Sequence, residues 1–232
     1  MLRVRKAADR GRTRLPWLDS RHTFSFADYH DPACVHFGPL RVVNDDRVSA
    51  GRGFDTHPHR DMEILSYVVE GALAHADSMG NGSTIVPGEV QRMSAGTGVT
   101  HSERNASDVE PVHFLQIWIL PERPGGEPGY EQRAFAPAAR HNALCLVASR
   151  DGREGSLTVR QDVAIWSTTL DAGAEVAVPL AHGRRAWVQV VRGAIAVNDV
   201  VAETGDGVAV AGEHDLTLKG REPAEVLVFD LP

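Results

Sequence analysis

The chain has 232 residues and a formal net charge of −7, with 42% hydrophobic and 24% charged residues. This composition is typical of a globular protein with a sizeable core and excludes fibrous and disordered classes. An acidic average surface argues against a nucleic-acid partner, since neutralising phosphates needs a basic face. The apolar stretches are far shorter than the about 20 residues of a membrane-spanning helix, so we expect no membrane partner.

The N-terminal segment, residues 1–14, is basic, but it lacks the apolar core and small-residue cleavage site of a secretory signal. We interpret it as a solvated first strand and turn, with a basic arm for a polyanion as the alternative. Cys34 and Cys145 are two isolated thiols, too few for a disulfide scaffold in a chain of this length. The sequence therefore predicts a cytoplasmic protein.

Hydrophobic residues alternate with a period of two along much of the chain, which predicts β-strands. Clear examples are residues 112–120, 187–191 and 225–229. Closely spaced turn signals such as Asn81-Gly82 and Asp151-Gly152 separate the strands, and we predict no long amphipathic helix. The pattern predicts an all-β fold of the sandwich or barrel kind.

Two clusters in the first half combine histidine with glutamate. They read GRGFDTHPHRDME at residues 51–63 and GVTHSE at residues 98–103. Residues i and i+2 of a strand point to the same face, so each cluster projects two polar side chains together. Short histidine motifs arise by chance, but the full first pattern is rarely expected from composition. Pro58 has no backbone N–H, which predicts that this segment is an edge strand or a strand start.

We predict that His57, His59, His101 and Glu103 bind one metal ion. Three neutral imidazoles and a carboxylate suit a divalent first-row metal. With the ion at +2, the site keeps about one positive charge, which favours an anionic substrate oxygen or reduced dioxygen. We expect Fe(II), and Ni, Mn, Cu and Zn stay open because imidazole and carboxylate accept all of them.

The other candidate ligands are less specific. Glu63 has two interpretations, a residue that orients a ligand histidine and a strand residue that faces solvent. The remaining histidines lack paired spacing, and we predict that they are not ligands. They are His22, His30, His36, His75, His113, His141, His182 and His214.

The second half of the chain repeats part of the first. VVEGALA at residues 68–74 matches VVRGAIA at residues 190–196, and a second match aligns residues 96–101 with residues 205–210. Two tandem β-barrels are the natural inference. A Pro- and Gly-rich stretch after Pro121 is typical of a linker. We therefore predict a metal-binding barrel at residues 1–121, a linker at 122–140 and a second barrel at 141–232.

The two matches also predict that the second barrel has no metal ligands. The positions aligned with the four predicted ligands are Pro179, Ala181, Val210 and Gly212. Metal chemistry is accordingly expected in the first barrel, with the second barrel structural or closing the pocket.

The sequence resembles the pirin family of bicupins, within the cupin superfamily. In the first half the resemblance is carried by WLDS (17–20), HTFSF (22–26), THPHRDME (56–63), DSMGN (77–81), SAGTG (94–98) and HSE (101–103). The second half agrees through QVV (189–191) and LVFDL (227–231). The resemblance implies two tandem cupin barrels, each a double-stranded β-helix or jelly roll. It also implies a metal held at His57, His59, His101 and Glu103, whereas the general cupin pattern uses the Glu63 position for its acidic ligand.

The resemblance further implies a flavonol dioxygenase, an oxidoreductase that cleaves quercetin with O2 and releases carbon monoxide. On this hypothesis Glu103 is the base that takes the proton of the flavonol 3-hydroxyl. The partners are then a small phenolic substrate and O2, and a protein partner stays open. Two alternatives remain, a metal- or redox-sensing regulator that binds a protein, and an oxygenase for another phenol or enediol.

Overall fold

A computed structural model describes residues 1–213 and 215–232, so the predicted non-ligand His214 lies outside the described residues. Regular structure in the described chain is nearly all β-strand, which confirms the predicted fold class. The helical segments are α1 (Pro137–Arg140) and two 3-10 turns at Ala7–Asp9 and Arg153–Gly155. None of the described helices has the length and apolar character needed to span a bilayer.

The strands are numbered in chain order. Those before residue 135 are β1 (Leu2–Arg5), β2 (Gly11–Leu15), β3 (Leu18–His22), β4 (Leu40–Val48), β5 (Gly53–His59), β6 (Glu63–Glu70), β7 (Leu73–Asp77), β8 (Gly82–Ile85), β9 (Glu89–Ser94), β10 (Val99–Asn105), β11 (Val112–Ile119) and β12 (Gly129–Ala134). Those after it are β13 (Cys145–Ser149), β14 (Leu157–Thr158), β15 (Ala164–Leu170), β16 (Glu175–Val178), β17 (Arg185–Arg192), β18 (Ala194–Val197), β19 (Val200–Glu203), β20 (Gly207–Ala211), β21 (Leu216–Gly220) and β22 (Ala224–Leu231).

The chain divides into two compact units. The first barrel comprises residues 11–134 and 157–161, and the second barrel comprises residues 1–10, 135–156 and 162–232. These units differ from the predicted boundaries of 1–121, 122–140 and 141–232. Strand β1 pairs with β20 in the second barrel, and β12, inside the predicted linker, pairs with β9 in the first. Composition locates a linker by its turn residues, but pairing with a strand far away in sequence decides which barrel a segment joins.

The first barrel has two antiparallel sheets. The larger has the order β12-β9-β6-β11-β4-β3-β2 and the smaller β5-β10-β7-β8. Strand β5, which contains Pro58, is at the edge of its sheet, as its missing N–H predicts. Burial in β10 alternates, with His101, Glu103 and Asn105 buried between more exposed neighbours. The period-two pattern thus turns His101 and Glu103 to the barrel interior together.

A row of buried polar side chains crosses the inner face of the larger sheet. Register aligns its members across five adjacent strands, and we call them the polar row. In strand order they are Gln91, Ser66, Gln116, Asn44 and His22. Apolar residues flank the row on both sides, with Val68 and Phe114 in one core cluster and Ile64 and Met93 in another.

The second barrel repeats this architecture without the polar row. Its larger sheet has the order β1-β20-β17-β22-β15-β13 and its smaller sheet β16-β21-β18-β19. The residues in register at the corresponding positions are all apolar. They are Val208, Val188, Val228, Trp166 and Leu146. The same topology therefore folds around an apolar row, and the polar row of the first barrel is not required by the architecture.

One sequence match between the halves is wrong. The alignment of residues 96–101 with 205–210 made Val210 and Gly212 the counterparts of His101 and Glu103. However, β10 pairs with β5, and the strand that pairs with β16 in the same way is β21, whereas β20 pairs with β17. Glycine-rich turns precede both β10 and β20, so local similarity aligned two strands that occupy different places in the sheets.

Asp206 ties the N-terminal segment to the second barrel. Its side chain accepts hydrogen bonds from Lys6 Nζ at 2.9 Å, Ala7 N at 2.7 Å and Glu203 N at 3.1 Å. Burial raises the pKa of the Asp206 carboxyl, but these hydrogen bonds outweigh it and hold the pKa below its ordinary value. A carboxyl with a lowered folded-state pKa adds stability above its unfolded pKa and loses it as the pH falls through the folded value.

We therefore expect Asp206→Asn to lower the free energy of unfolding by about 1.5–3 kcal/mol at pH 7, the range for hydrogen bonds to a charged group. The difference from the wild type should shrink below about pH 4. Denaturant unfolding between pH 7 and pH 3 measures both. Asp19→Asn, which removes the exposed pair with Arg12, is the control and should cost at most about 1 kcal/mol. Equal effects of the two substitutions would contradict the prediction.

Candidate metal centre

Three of the predicted ligands converge inside the first barrel. His101 on β10 is in register with His57 on β5, and His59 follows two residues later on the same face. The ring centroids lie 4.6 Å apart for His57 and His101 and 4.8 Å apart for the other two pairs. One ring nitrogen from each histidine lies within 4.8 Å of the other two. Within residues 1–213 and 215–232, this is the group of three side chains close enough to share an ion.

The histidine nitrogens fit a metal ion. In the described part of the chain, Nε2 of His59 and Nε2 of His101 are buried and have no hydrogen-bond partner, an arrangement that costs free energy unless something satisfies the atoms. Burial, and then the neighbouring histidines, lower the pKa of His59 to about 4 and that of His101 to about 2. Both imidazoles are therefore neutral near pH 7, the form that binds a cation.

Hydrogen bonds orient the ligand rings. Nδ1–H of His57 donates to the backbone oxygen of Asp55 at 2.7 Å, which leaves the lone pair on Nε2. Nδ1 of His101 lies 3.5 Å from Nδ1 of His75, and Nε2 of His75 lies 3.1 Å from Oδ2 of Asp77. With Nε2–H of His75 donating to Asp77, Nδ1 of His75 is an acceptor that lies 3.2 Å from Nε2 of Gln91 and faces Nδ1 of His101. Asp77 thus fixes the tautomer of His75, and His75 packs behind His101 as a hydrogen-bond acceptor.

His75 is therefore a residue whose role the sequence did not reveal. The sequence predicts that His75 is not a ligand, and the structure places it behind His101. The spacing of the histidines did not indicate that it would orient a ligand ring. A usable signal existed, because His75 and Asp77 have the i, i+2 spacing of one strand face, and Asp77 begins the DSMGN stretch. Asp77 is itself held by N–H groups of Met79 and Asn81, so this loop serves the metal centre indirectly.

Glu103 is outside the group of three but belongs to the same cavity. It is buried, and its carboxylate accepts hydrogen bonds from Ser66 Oγ at 2.9 Å and from Gln116 Nε2. Both donors belong to the polar row, which thus orients the carboxylate. Burial, only partly offset by these hydrogen bonds, raises the pKa of Glu103 to about 7.

Glu63 is not the solvent-facing residue that one interpretation predicted. It is 1% exposed, and it accepts hydrogen bonds from Ser94 Oγ at 2.8 Å and Arg160 N at 3.3 Å. The bond from Arg160 attaches residues 157–161 to the first barrel. Both donors are residues other than the proposed ligand histidines, so these contacts do not orient a ligand ring. The general cupin position for the acidic ligand therefore has a structural contact here.

A cavity of about 140 Å³ adjoins the histidines and Glu103. One wall is the segment after β3, which contributes Phe26 and Ala27, and another is Trp118 on β11. The Trp118 ring lies 5.0 Å from that of His59 and 5.4 Å from that of Phe26. The remaining lining residues are Thr13, Leu18, Ser20, His22, Asn44, Asp46, Phe54 and Gln116. The three histidines thus open on a small chamber whose lining residues include aromatic rings and polar side chains but whose exposed surface is mostly apolar.

Two other buried histidines have structural partners. His22 lies in the polar row between Thr13 Oγ1 at 2.8 Å and Asn44 Oδ1 at 2.9 Å. His113 is on the opposite face of the large sheet, with Nε2 at 2.8 Å from Asp45 Oδ1. Both agree with the prediction that these residues are not ligands.

Comparison with known proteins identifies two families along the chain. The family described as Pirin matches residues 3–119, and the family described as Quercetinase C-terminal cupin domain matches residues 146–231. The chain is 49% identical over 232 residues to a protein of Escherichia coli K12 named quercetin 2,3-dioxygenase, which covers 100% of this chain and 99% of that protein.

Solved structures agree with these matches. Two structures of Escherichia coli YhhW, one of them a complex of this bacterial pirin with nickel(II), superpose with a TM-score of 0.96 at 49% identity. They cover 100% of this chain and 98% and 99% of those chains. A quercetin 2,3-dioxygenase from Acinetobacter baumannii superposes with a TM-score of 0.78 at 22% identity, covering 95% of this chain and 84% of that chain, which shows a shared fold.

The contact between His75 and Asp77 predicts a measurable effect on metal affinity. We expect Asp77→Asn to weaken Ni(II) binding by about 10- to 100-fold, the usual cost of losing a group that orients a ligand histidine. Titration calorimetry with Ni(II) on chelator-treated protein measures the affinity. The control is Asp45→Asn, which removes the carboxylate of the buried His113 pair on the other face of the sheet. If both variants bound Ni(II) equally well, the orienting role of Asp77 would be refuted.

Proposed function

This chain belongs to the pirin family, and we propose that it is a metal-dependent dioxygenase that cleaves flavonols such as quercetin with O2. The observation that carries the proposal is the group of three converging imidazoles, two of which have unsatisfied buried nitrogens, placed beside a buried carboxylate and a small cavity. The relative named quercetin 2,3-dioxygenase, which aligns over the whole chain, supports the reaction class.

In this proposal His57, His59, His101 and Glu103 hold one divalent ion. The donor set accepts several first-row metals. Fe(II) is our first candidate, and Ni(II) is the second because a related bacterial pirin binds it. When bound, the ion supplies Lewis-acid and redox chemistry toward the substrate oxygen and O2.

Glu103 is the base that takes the proton of the flavonol 3-hydroxyl. A general base must lie within reach of the proton that it takes, and Glu103 is a buried carboxylate that lines the cavity beside the histidines. Ser66 and Gln116 keep the carboxylate oriented toward the cavity, because each donates a hydrogen bond to one of its oxygens. The rings of Phe26 and Trp118 limit the access of water to the same space.

The reaction is tested by O2 uptake. Protein purified anaerobically and loaded with Fe(II) or Ni(II) should consume O2 in step with quercetin loss and release carbon monoxide. His57→Ala should abolish both, since it removes a ligand. His36→Ala, a histidine on a loop away from the cavity, is the control and should react at the wild-type rate. Fully metallated wild-type protein that consumes no O2 with quercetin would reject this substrate.

The role of Glu103 is tested separately. We expect Glu103→Gln to retain near-wild-type metal content through the three histidines and to lower kcat by about 100-fold or more, the usual contribution of a general base. Glu63→Gln is the matched control, because it alters another buried carboxyl outside the cavity. A Glu103→Gln protein with wild-type turnover would exclude Glu103 as the base.

A further inference from the structure

Two buried polar atoms of the cavity have no hydrogen-bond partner among the described residues, and neither belongs to a proposed metal ligand. They are Oδ1 of Asp46 and Nε1 of Trp118. Asp46 is 4% exposed, and both residues line the cavity together with His57 and His59. The Asp46 carboxyl has a hydrogen bond with Ser20, which leaves Oδ1 as its unsatisfied oxygen. An unsatisfied buried polar atom costs stability, and a ligand that pairs with it removes that cost.

The two atoms lie on opposite sides of the polar row. On β11, Trp118 lies two residues beyond Gln116, and on β4, Asp46 lies two residues beyond Asn44 in the other direction. Gln116 and Asn44 are paired with each other, so the polar row lies between Trp118 and Asp46. The indole N–H can only donate a hydrogen bond, and a carboxylate can only accept. Burial raises the pKa of Asp46 to about 7, so the acceptor form dominates above that pH. The two cavity residues thus offer a donor on one side of the row and, when Asp46 is ionised, an acceptor on the other.

The space between them has the size of one aromatic ring. The cavity holds about 140 Å³, and a protein cavity of about 150 Å³ takes up benzene. Phe26 and Trp118 contribute aromatic walls, and aromatic pairs are favourable in edge and offset arrangements. A single hydroxylated ring therefore matches the chamber in volume, wall chemistry and polarity.

We propose that Asp46 and Trp118 are the specificity-determining residues of this cavity, which bind one substrate ring carrying a hydroxyl at one end and an acceptor oxygen at the other. Asp46 accepts the hydrogen bond of the hydroxyl, and Nε1–H of Trp118 donates to the opposite oxygen. The assignment rests on the proposed function for the cavity being the substrate site. Beyond that function, the proposal names the two substrate oxygens that the protein binds before the reaction begins.

The test pairs residue substitutions with small probes that lack the flavonol enol. 4-Hydroxybenzaldehyde carries both groups at opposite ends of one ring, 4-methoxybenzaldehyde lacks the hydroxyl donor, and 4-methylphenol lacks the carbonyl. Dissociation constants are measured by titration calorimetry on the metal-loaded protein under nitrogen. Asp46→Leu removes both carboxyl oxygens, and Asp46→Asn replaces one of them by an amide nitrogen while it retains the side-chain shape. Trp118→Phe removes the N–H and retains one aromatic ring.

We expect Asp46→Leu to weaken 4-hydroxybenzaldehyde and 4-methylphenol by about tenfold, the loss of one hydrogen bond, and to leave 4-methoxybenzaldehyde within about twofold. Asp46→Asn should also weaken the binding of 4-hydroxybenzaldehyde and 4-methylphenol. Trp118→Phe should weaken binding of the two aldehydes by about tenfold more than it weakens binding of 4-methylphenol, which loses ring contact but no hydrogen bond. Trp17→Phe and Asp45→Asn, which alter residues outside the cavity, should leave all three probes unchanged.

Equal changes for all three probes, or no change, would overturn the proposal, since a merely structural role does not distinguish the probes. This result is separable from failure of the proposed reaction. Turnover of quercetin by variants that bind the probes without discrimination would retain the dioxygenase and refute the recognition pair. The expected probe pattern in a protein that does not consume O2 with quercetin would retain the pair and assign the cavity to another phenol.

Discussion

The site in the first barrel depends on three imidazoles that face one another, two of which have a buried nitrogen that no described protein group satisfies. Neutral rings tolerate this proximity, whereas protonated rings would repel, and burial lowers the pKa of His59 and His101 accordingly. The arrangement is costly without a cation and favourable with one. The surrounding contacts follow from this constraint: the Asp55 carbonyl orients His57, and the His75 and Asp77 side chains orient His101.

The polar row is the second element built around the same centre. It crosses the middle of a sheet between two apolar clusters, where buried amides and hydroxyls are stable only when they are hydrogen-bonded. Two of its members, Ser66 and Gln116, hold Glu103 in place. The second barrel has Val188 and Val228 at the equivalent positions and keeps the same topology. Comparison of the two barrels shows that the fold requires an inner face of suitable volume. The line of hydrogen-bonding groups is needed only where Glu103 and the histidines are held.

Four of the buried polar atoms that have no hydrogen-bond partner in the described chain belong to residues in or beside the chamber. His59, His101, Asp46 and Trp118 each place an unsatisfied buried atom in or beside it. A protein retains such locally unfavourable groups where function offsets the loss of stability. Together they describe a site with a cation position and, next to it, a ring-sized space bounded by a donor and an acceptor.

Local patterns in the chain were enough to predict the all-β class, the two-barrel organisation and the three converging histidines, because strand periodicity and i, i+2 spacing are local properties. Edge placement of β5 followed from Pro58 for the same reason. Contacts between distant strands, in contrast, place β1 in the second barrel, bury Glu63 against Ser94 and pack His75 behind His101. They also decide which residues share a row with Glu103. These are matters of register between strands distant in sequence, and register depends on the pairing of whole sheets, which a local pattern does not contain.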